Sequence, residues 1–199
     1  KDYSKSMMVG FAHFGGHPVG IVANNPIHMA GAITCKAAEK AARFIRFCDA
    51  FNIPLVYLVN TPAYLVGSQQ EQEGMIYRGA SLLYATSEAT VPKITVIVGW
   101  AYAGAYIAMG SKYLRSDVVY AWPTAEIGLV AAEGTVNVIF RKDIAAAPNP
   151  QEERKRLEEA FRNTYMSIYY PASSQLVDDI IDPKETRPVI IRSLEALKN

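Results

Sequence analysis

The sequence predicts an α/β domain built on a mostly parallel sheet, and two observations carry that prediction. Residues 55–59 (Leu-Val-Tyr-Leu-Val) and 94–98 (Ile-Thr-Val-Ile-Val) are near-continuous apolar runs of strand length, the pattern of strands covered on both faces. Each follows a helix-patterned stretch closed by a proline-containing breaker, at 52–54 and at 91–92. Strand, helix and strand in this rhythm imply right-handed crossovers between parallel neighbours.

Taken in order, residues 7–14 and 18–24 read as strands, joined by Gly15-Gly16, which can adopt the positive φ of a tight hairpin. Over residues 32–51, Ala37, Ala41, Phe44, Ile45, Cys48 and Phe51 recur at three and four, while Lys36, Glu39, Lys40, Arg43 and Arg46 fill other faces: an amphipathic helix. A polar loop reaches residue 70, a helix spans 71–90, and the second buried strand follows. A small-residue segment, 101–109, leads into a strand at 118–121. Beyond residue 150 the pattern is a charged helix, 151–168, and two shorter helical stretches broken at Pro171, Pro183 and Pro188, packed outside the sheet or against a neighbour.

Half of the 199 residues are apolar, enough for one core, so a single domain over 1–199 is expected. Lys plus Arg number 20 against 19 for Asp plus Glu, which leaves no basic excess for nucleic acid. The apolar runs fall far short of the roughly 20 residues of a membrane helix, and no charged-then-apolar leader opens the chain; the expectation is a soluble, cytoplasmic protein. Cys35 and Cys48 share one helix and read as structural thiols. His13, His17 and His28 lack the spacing of a helical metal site, so no metal is expected. The chain starts at Lys1 and enters strand-like sequence almost at once, as a piece of a longer polypeptide would.

Two loops follow the buried strands directly, at the carboxyl ends where ligands of open α/β sheets gather: 60–67 and 99–106. The second reads Gly-Trp-Ala-Tyr-Ala-Gly-Ala-Tyr. Small side chains at Ala103, Gly104 and Ala105 let a ligand approach the backbone, and helix-start N–H groups lack internal acceptors, which outlines an oxyanion hole. The same residues also suit close helix packing. Glu126 reads either as a general acid or base or as a hydrogen-bonded anchor. No Gly-x-Ser-x-Gly elbow, Walker loop or dinucleotide glycine motif is present.

Several stretches together are specific. They are Arg43-Phe44-Ile45-Arg46-Phe47-Cys48-Asp49-Ala50-Phe51-Asn52-Ile53-Pro54-Leu55, Gly79-Ala80 with Leu82-Leu83-Tyr84-Ala85, and Glu88-Ala89-Thr90-Val91-Pro92-Lys93. Ala101-Tyr102 with Gly104-Ala105-Tyr106, Tyr120-Ala121-Trp122-Pro123-Thr124-Ala125-Glu126-Ile127, and Val177-Asp178-Asp179-Ile180-Ile181 with Pro183 and Thr186-Arg187 complete the series. In this order they resemble the carboxyltransferase β subunits of biotin-dependent acyl-CoA carboxylases, the propionyl-CoA carboxylase group.

The resemblance implies a crotonase-like fold with outer C-terminal helices, duplicated in the whole subunit, of which this chain is the C-terminal, biotin-facing half. It implies a coenzyme A thioester as substrate and biotin on a separate carrier. The implied partners are the N-terminal carboxyltransferase half, biotin carboxyl carrier protein, biotin carboxylase and further copies in a trimer or hexamer. In that family carboxybiotin releases its CO2, biotin takes the proton from the acyl α-carbon, and the protein stabilises charge. Carried over, Gly104 and Ala105 are the catalytic amides at the ureido oxygen. Ile107 lines the acyl pocket, and the loop Pro62-Ala63-Tyr64 places Tyr64 beside the biotin ring, with Tyr102, Ala103 and Tyr106 around them.

Departures from the pattern are Gly99-Trp100 for a basic pair, Ala103-Gly104 for Gly-Gly, and Asn60-Thr61-Pro62-Ala63 for Asp-Val-Pro-Gly. The same resemblance keeps open the α subunits of glutaconyl-CoA and methylmalonyl-CoA decarboxylases, which run the transfer towards biotin. Two other classes remain: an autonomous crotonase-type hydratase or isomerase using Glu126, and a non-catalytic oligomerisation module. The isolated domain is expected to fold and not to turn over.

Overall fold

The computed structural model describes residues 2–198. Strands β1 (Met7–Phe14) and β2 (His17–Asn24) form the expected hairpin, running antiparallel from Met7 opposite Asn24 to Phe14 opposite His17. Gly15 and Gly16 make the turn at φ 57° and 87°, left-handed values that a residue without Cβ adopts freely. Helix α1 (Cys35–Ala50) follows, its first turn capped by Thr34 Oγ1, which accepts the Ala37 N–H at 3.1 Å.

Strand β3 (Leu55–Thr61) lies parallel to β2, and β4 (Lys93–Tyr102) parallel to β3. Between them run α2 (Ser68–Gln72) and α3 (Met75–Glu88). Alternation along the strands serves two layers. Leu55, Tyr57 and Val59 join the core beneath α1 and α3 with Ala41, Ile45 and Leu82, while Val56, Ile94 and Val96 face Val189, Ile190 and Leu194. Those three belong to the last helix, α9 (Thr186–Ala196), so a C-terminal helix covers the second face of the sheet. Each fully buried aliphatic side chain contributes about 1.5–3 kcal/mol.

After β4 come α4 (Ala103–Ala108), β5 (Val118–Ala121) and β6 (Glu126–Gly128). Both strands use the same side of β4: β5 pairs with Ile94–Ile97 and β6 with Trp100–Tyr102. The strand order is β1-β2-β3-β4-β5-β7, with β6 against β4 and β7 (Asp179–Ile180) beyond β5. Helices α5 (Ala132–Ile139), α6 (Arg141–Ala146) and α7 (Pro150–Phe161) form a lobe beside β6, followed by a π turn, Arg162–Met166, and α8 (Tyr169–Ser173).

Several expectations are corrected. Strand β4 runs to Tyr102, so residues 99–102 are strand and not loop. The helix expected over 71–90 is interrupted at Glu73-Gly74, and the charged helix ends at Phe161. Pro171 and Pro188 lie inside the first turns of α8 and α9, and Pro183 opens a 3-10 turn. A missing N–H costs nothing where no helical acceptor exists, so these prolines begin helices.

Candidate active site at the strand ends

The carboxyl ends of β3 and β4 carry both candidate loops. The first is held by backbone pairing to the segment before α1: Ile33 N–H donates to Ala63 O at 3.0 Å, and Leu65 N–H to Ile33 O at 2.9 Å. Tyr64 is thereby directed between α3 and α4. Its hydroxyl donates to Gly79 O at 3.1 Å, and burial holds the phenol well above its usual pKa. A methyl built on Gly104 would stand 3.8 Å from Tyr64 Cδ2, an ordinary contact. The ring therefore forms one wall of the space above Gly104.

The second feature is a sharp strand-to-helix turn. Tyr102 ends β4, and Ala103, the next residue, has φ 52°, in the left-handed region that costs a residue with a Cβ about 1–2 kcal/mol. The chain then enters α4. Gly104 is exposed and Ala105 is 0% exposed. At the start of a helix the amides of both residues lie before the first i→i−4 bond. The turn thus sets the N–H of the exposed Gly104 beneath Tyr64 with that of the buried Ala105 directly after it, an arrangement suited to an oxygen that carries or develops negative charge.

Tyr102 and Tyr106 are each 4% exposed and pack in the core, so neither side chain faces the space above Gly104. The Tyr102 hydroxyl donates to Glu126 Oε2 at 2.5 Å, and burial first, then Glu126, keeps that phenol protonated. The other Glu126 oxygen lies 3.3 Å from Arg162 Nε, and Arg162 Nη2 reaches Glu133 Oε1 at 2.7 Å. The Tyr106 hydroxyl is buried with no partner among the described residues. Ile107 is half-buried against the core beneath α1 and α3.

Pro62, Ala63 and Tyr64 thus lie on one loop, with Tyr64 at Gly104, while Ala103, Gly104 and Ala105 form one turn. Sequence reasoning missed Asn60. The β3–β4 register shifts between Val59 and Thr61, and at that irregularity Asn60 N–H donates to Asn24 Oδ1 at 3.1 Å. Asn60 Oδ1 accepts the Trp100 N–H at 3.0 Å. A Cβ on Gly99 would stand 2.7 Å from that same oxygen. The available signal was that Asn60 and Gly99-Trp100 both depart from the resembled pattern; nothing in the sequence pairs them.

Fold and site define a crotonase-like α/β domain. The chain belongs to the carboxyl transferase domain family, whose model matches residues 1–199. It is 49% identical over 199 residues, all of this chain and 39% of the relative, to the propionyl-CoA carboxylase carboxyltransferase subunit of Haloferax mediterranei. It is 48% identical to the methylmalonyl-CoA decarboxylase α subunit of Propionigenium modestum, covering 98% of this chain and 38% of that one. Among solved structures, the transcarboxylase 12S hexamer with methylmalonyl-CoA bound superposes with a TM-score of 0.94 at 50% identity, over 98% of this chain and 37% of that chain. The chain therefore spans less than two fifths of the length of each of these relatives.

Proposed function

We propose that the chain is the biotin-facing, C-terminal domain of a carboxyltransferase that moves a carboxyl group between carboxybiotin on a carrier protein and a short-chain acyl-CoA. The observation that carries this reading is the strained turn under the Tyr64 ring, where the exposed Gly104 and the buried Ala105 set adjacent amides before the first helical hydrogen bond. Biotin, when its carrier presents it, supplies the ureido group that bears the carboxyl. The residues present fit such a ring: Gly104 leaves open space above the donors, and the hydrocarbon edge of Tyr64 flanks it. Preorganised donors of this kind are each worth about 10²–10³ in rate where charge develops on the oxygen they hold. The site offers no activated side-chain nucleophile, in keeping with a protein whose part is positioning and charge stabilisation.

An N-terminal carboxyltransferase half would complete the site, with biotin carboxyl carrier protein, biotin carboxylase and further copies of the subunit as the assembly. Ile107, half-buried beside the turn, suits a short apolar acyl group. The methylmalonyl-CoA decarboxylase relative supports a second reading, with the transfer directed towards biotin. A hydratase using Glu126 is disfavoured because both carboxylate oxygens are engaged, one by Tyr102 and one by Arg162.

The test supplies the full-length subunit with free biotin and malonyl-, methylmalonyl- or glutaconyl-CoA. Carboxybiotin formation, with loss of the matching acyl-CoA carboxyl group, is the expected result. Hydration of an enoyl-CoA without biotin, and no carboxyl exchange, would overturn the reading.

A further inference from the structure

We infer that Glu126 is a positioning residue for carboxyl transfer, holding the Gly104 and Ala105 amides in place through the hydroxyl of Tyr102. The inference rests on the preceding assignment of those amides as the oxyanion donors. Tyr102 is two residues before Gly104, and the residue between them, Ala103, is held at φ 52°. Such a conformation persists in a residue with a Cβ only when the structure on both sides enforces it. Downstream, Ala105 and Ala108 are wholly buried and anchor α4 in the core.

Upstream, the anchor is Tyr102. Its backbone pairs in register with Gly128 of β6, its ring is buried with Ala132 and Met166, and its hydroxyl is bound by the Glu126 carboxylate. A hydroxyl on a carboxylate is a strong hydrogen bond, about twice as strong as a neutral one.

Glu126 is itself fixed from several directions. Its backbone bridges Ser167, its register partner is Trp100, and its second oxygen meets Arg162. Arg162 begins the π turn Arg162–Met166 and continues the network to Glu133 on α5. Local π geometry is a common device for placing one side chain at a functional site. The ion pair thus ties the helical lobe to β6, the strand paired with the end of β4 that launches the oxyanion turn. Glu126 lies with Trp100 and Tyr102 on that strand pair, and the role left for its carboxylate is to lock the residue that launches the turn.

The experiment uses the full-length subunit with its biotin carrier and the variants Tyr102→Phe, Glu126→Ala and Glu126→Gln. Displacing the donors by about 1 Å costs on the order of 10²-fold in rate, so Tyr102→Phe and Glu126→Ala should each lower kcat by roughly tenfold to hundredfold. KM for the acyl-CoA should stay within about twofold, because the acyl-CoA side of the site is untouched. Glu126→Gln keeps an acceptor for the hydroxyl and should recover most of what Glu126→Ala loses. Because the two residues act as one unit, the double variant Tyr102→Phe/Glu126→Ala should be no slower than the worse single variant.

Parental kcat in Tyr102→Phe, a loss confined to KM, or additive effects would overturn the inference. So would a Glu126→Gln variant as inactive as Glu126→Ala beside an active Tyr102→Phe, the signature of direct proton transfer by Glu126. If Glu126→Ala fails to fold, Tyr102→Phe and Glu126→Gln decide the matter. A Gly104→Ala arm separates the two levels. Parental transfer there sinks the donor assignment itself, whereas loss there with parental Tyr102→Phe sinks only the role of Glu126.

Discussion

Asn60 Oδ1 accepts the backbone N–H of Trp100 at 3.0 Å and occupies the space in which a Gly99 side chain would stand. Forty positions separate the partners, and each belongs to a stretch that departs from the carboxyltransferase pattern. The structure makes the two departures a single feature. Where the resembled pattern has an acid in one loop and a basic pair in the other, this chain has a neutral side-chain-to-backbone bond tying the end of β3 to the end of β4.

The first prediction follows directly. Gly99→Ala places a methyl 2.7 Å from Asn60 Oδ1, so the amide must leave and the Trp100 N–H loses its acceptor. The expected cost is about 1–3 kcal/mol. Combining it with Asn60→Ala should cost clearly less than the sum of the two single variants. Urea midpoints of the four proteins check this.

Ala103 supplies the second. At φ 52°, Ala103→Gly relieves left-handed strain but adds chain entropy to the unfolded state, so stability should stay level or rise by up to about 1 kcal/mol. Ala103→Val, with a branched Cβ at the same angle, should lose about 2 kcal/mol or more. Thermal unfolding of both variants tests the ordering.

Lys93 is 4% exposed, and its ammonium donates to the carbonyls of Thr86, Ala89 and Leu114 at 3.1, 3.0 and 3.4 Å. It closes the carboxyl end of α3 against the turn after α4. Burial lowers its pKa, yet all three contacts call for a donor. Lys93→Met keeps the stem and strands the carbonyls, a loss of about 3 kcal/mol measurable by denaturant titration.

The fourth concerns acid. Glu133 is held below the usual glutamate pKa of 4.5, first by a hydrogen bond from its own backbone N–H and then by Arg162. A carboxylate depressed in the folded state contributes stability that is complete above the unfolded value and lost as pH falls through the folded one. Hydrogen exchange should therefore show α5 loosening below about pH 4.5 while the α1–α3 layer keeps its protection. Arg162→Gln should reduce the depression of the Glu133 pKa, read by NMR titration.

Much of the fold was legible because the two central strands are buried on both faces and carry few polar residues; Leu55 and Ile94 have no solvent side to encode. The hairpin was legible in Gly15-Gly16 set between two strand-like runs. Helix α5 was not, because it buries Ala132 and Val136 while Val138 and Ile139 lie exposed, so no apolar stripe marks its inner face. The full length of β4 was hidden by Gly99 and Trp100, which read as loop residues. At the site, Tyr64 and Gly104 could be named from motif order, but their proximity brings the loop after β3 to the first turn of α4 after β4. The hold of Glu126 on Tyr102 likewise depends on β6 lying beside β4, which three residues of sequence do not announce.

The role of the Gly104 and Ala105 amides is measured by the rate of carboxyl transfer in the full-length subunit bearing Gly104→Ala. A methyl has room there, 3.8 Å from Tyr64, so the protein should fold as before. The added methyl would nonetheless narrow the space between Gly104 and the Tyr64 ring. A loss of about 10²-fold in kcat with an unchanged unfolding midpoint is expected. Transfer at the parental rate by a fully folded variant would contradict that role.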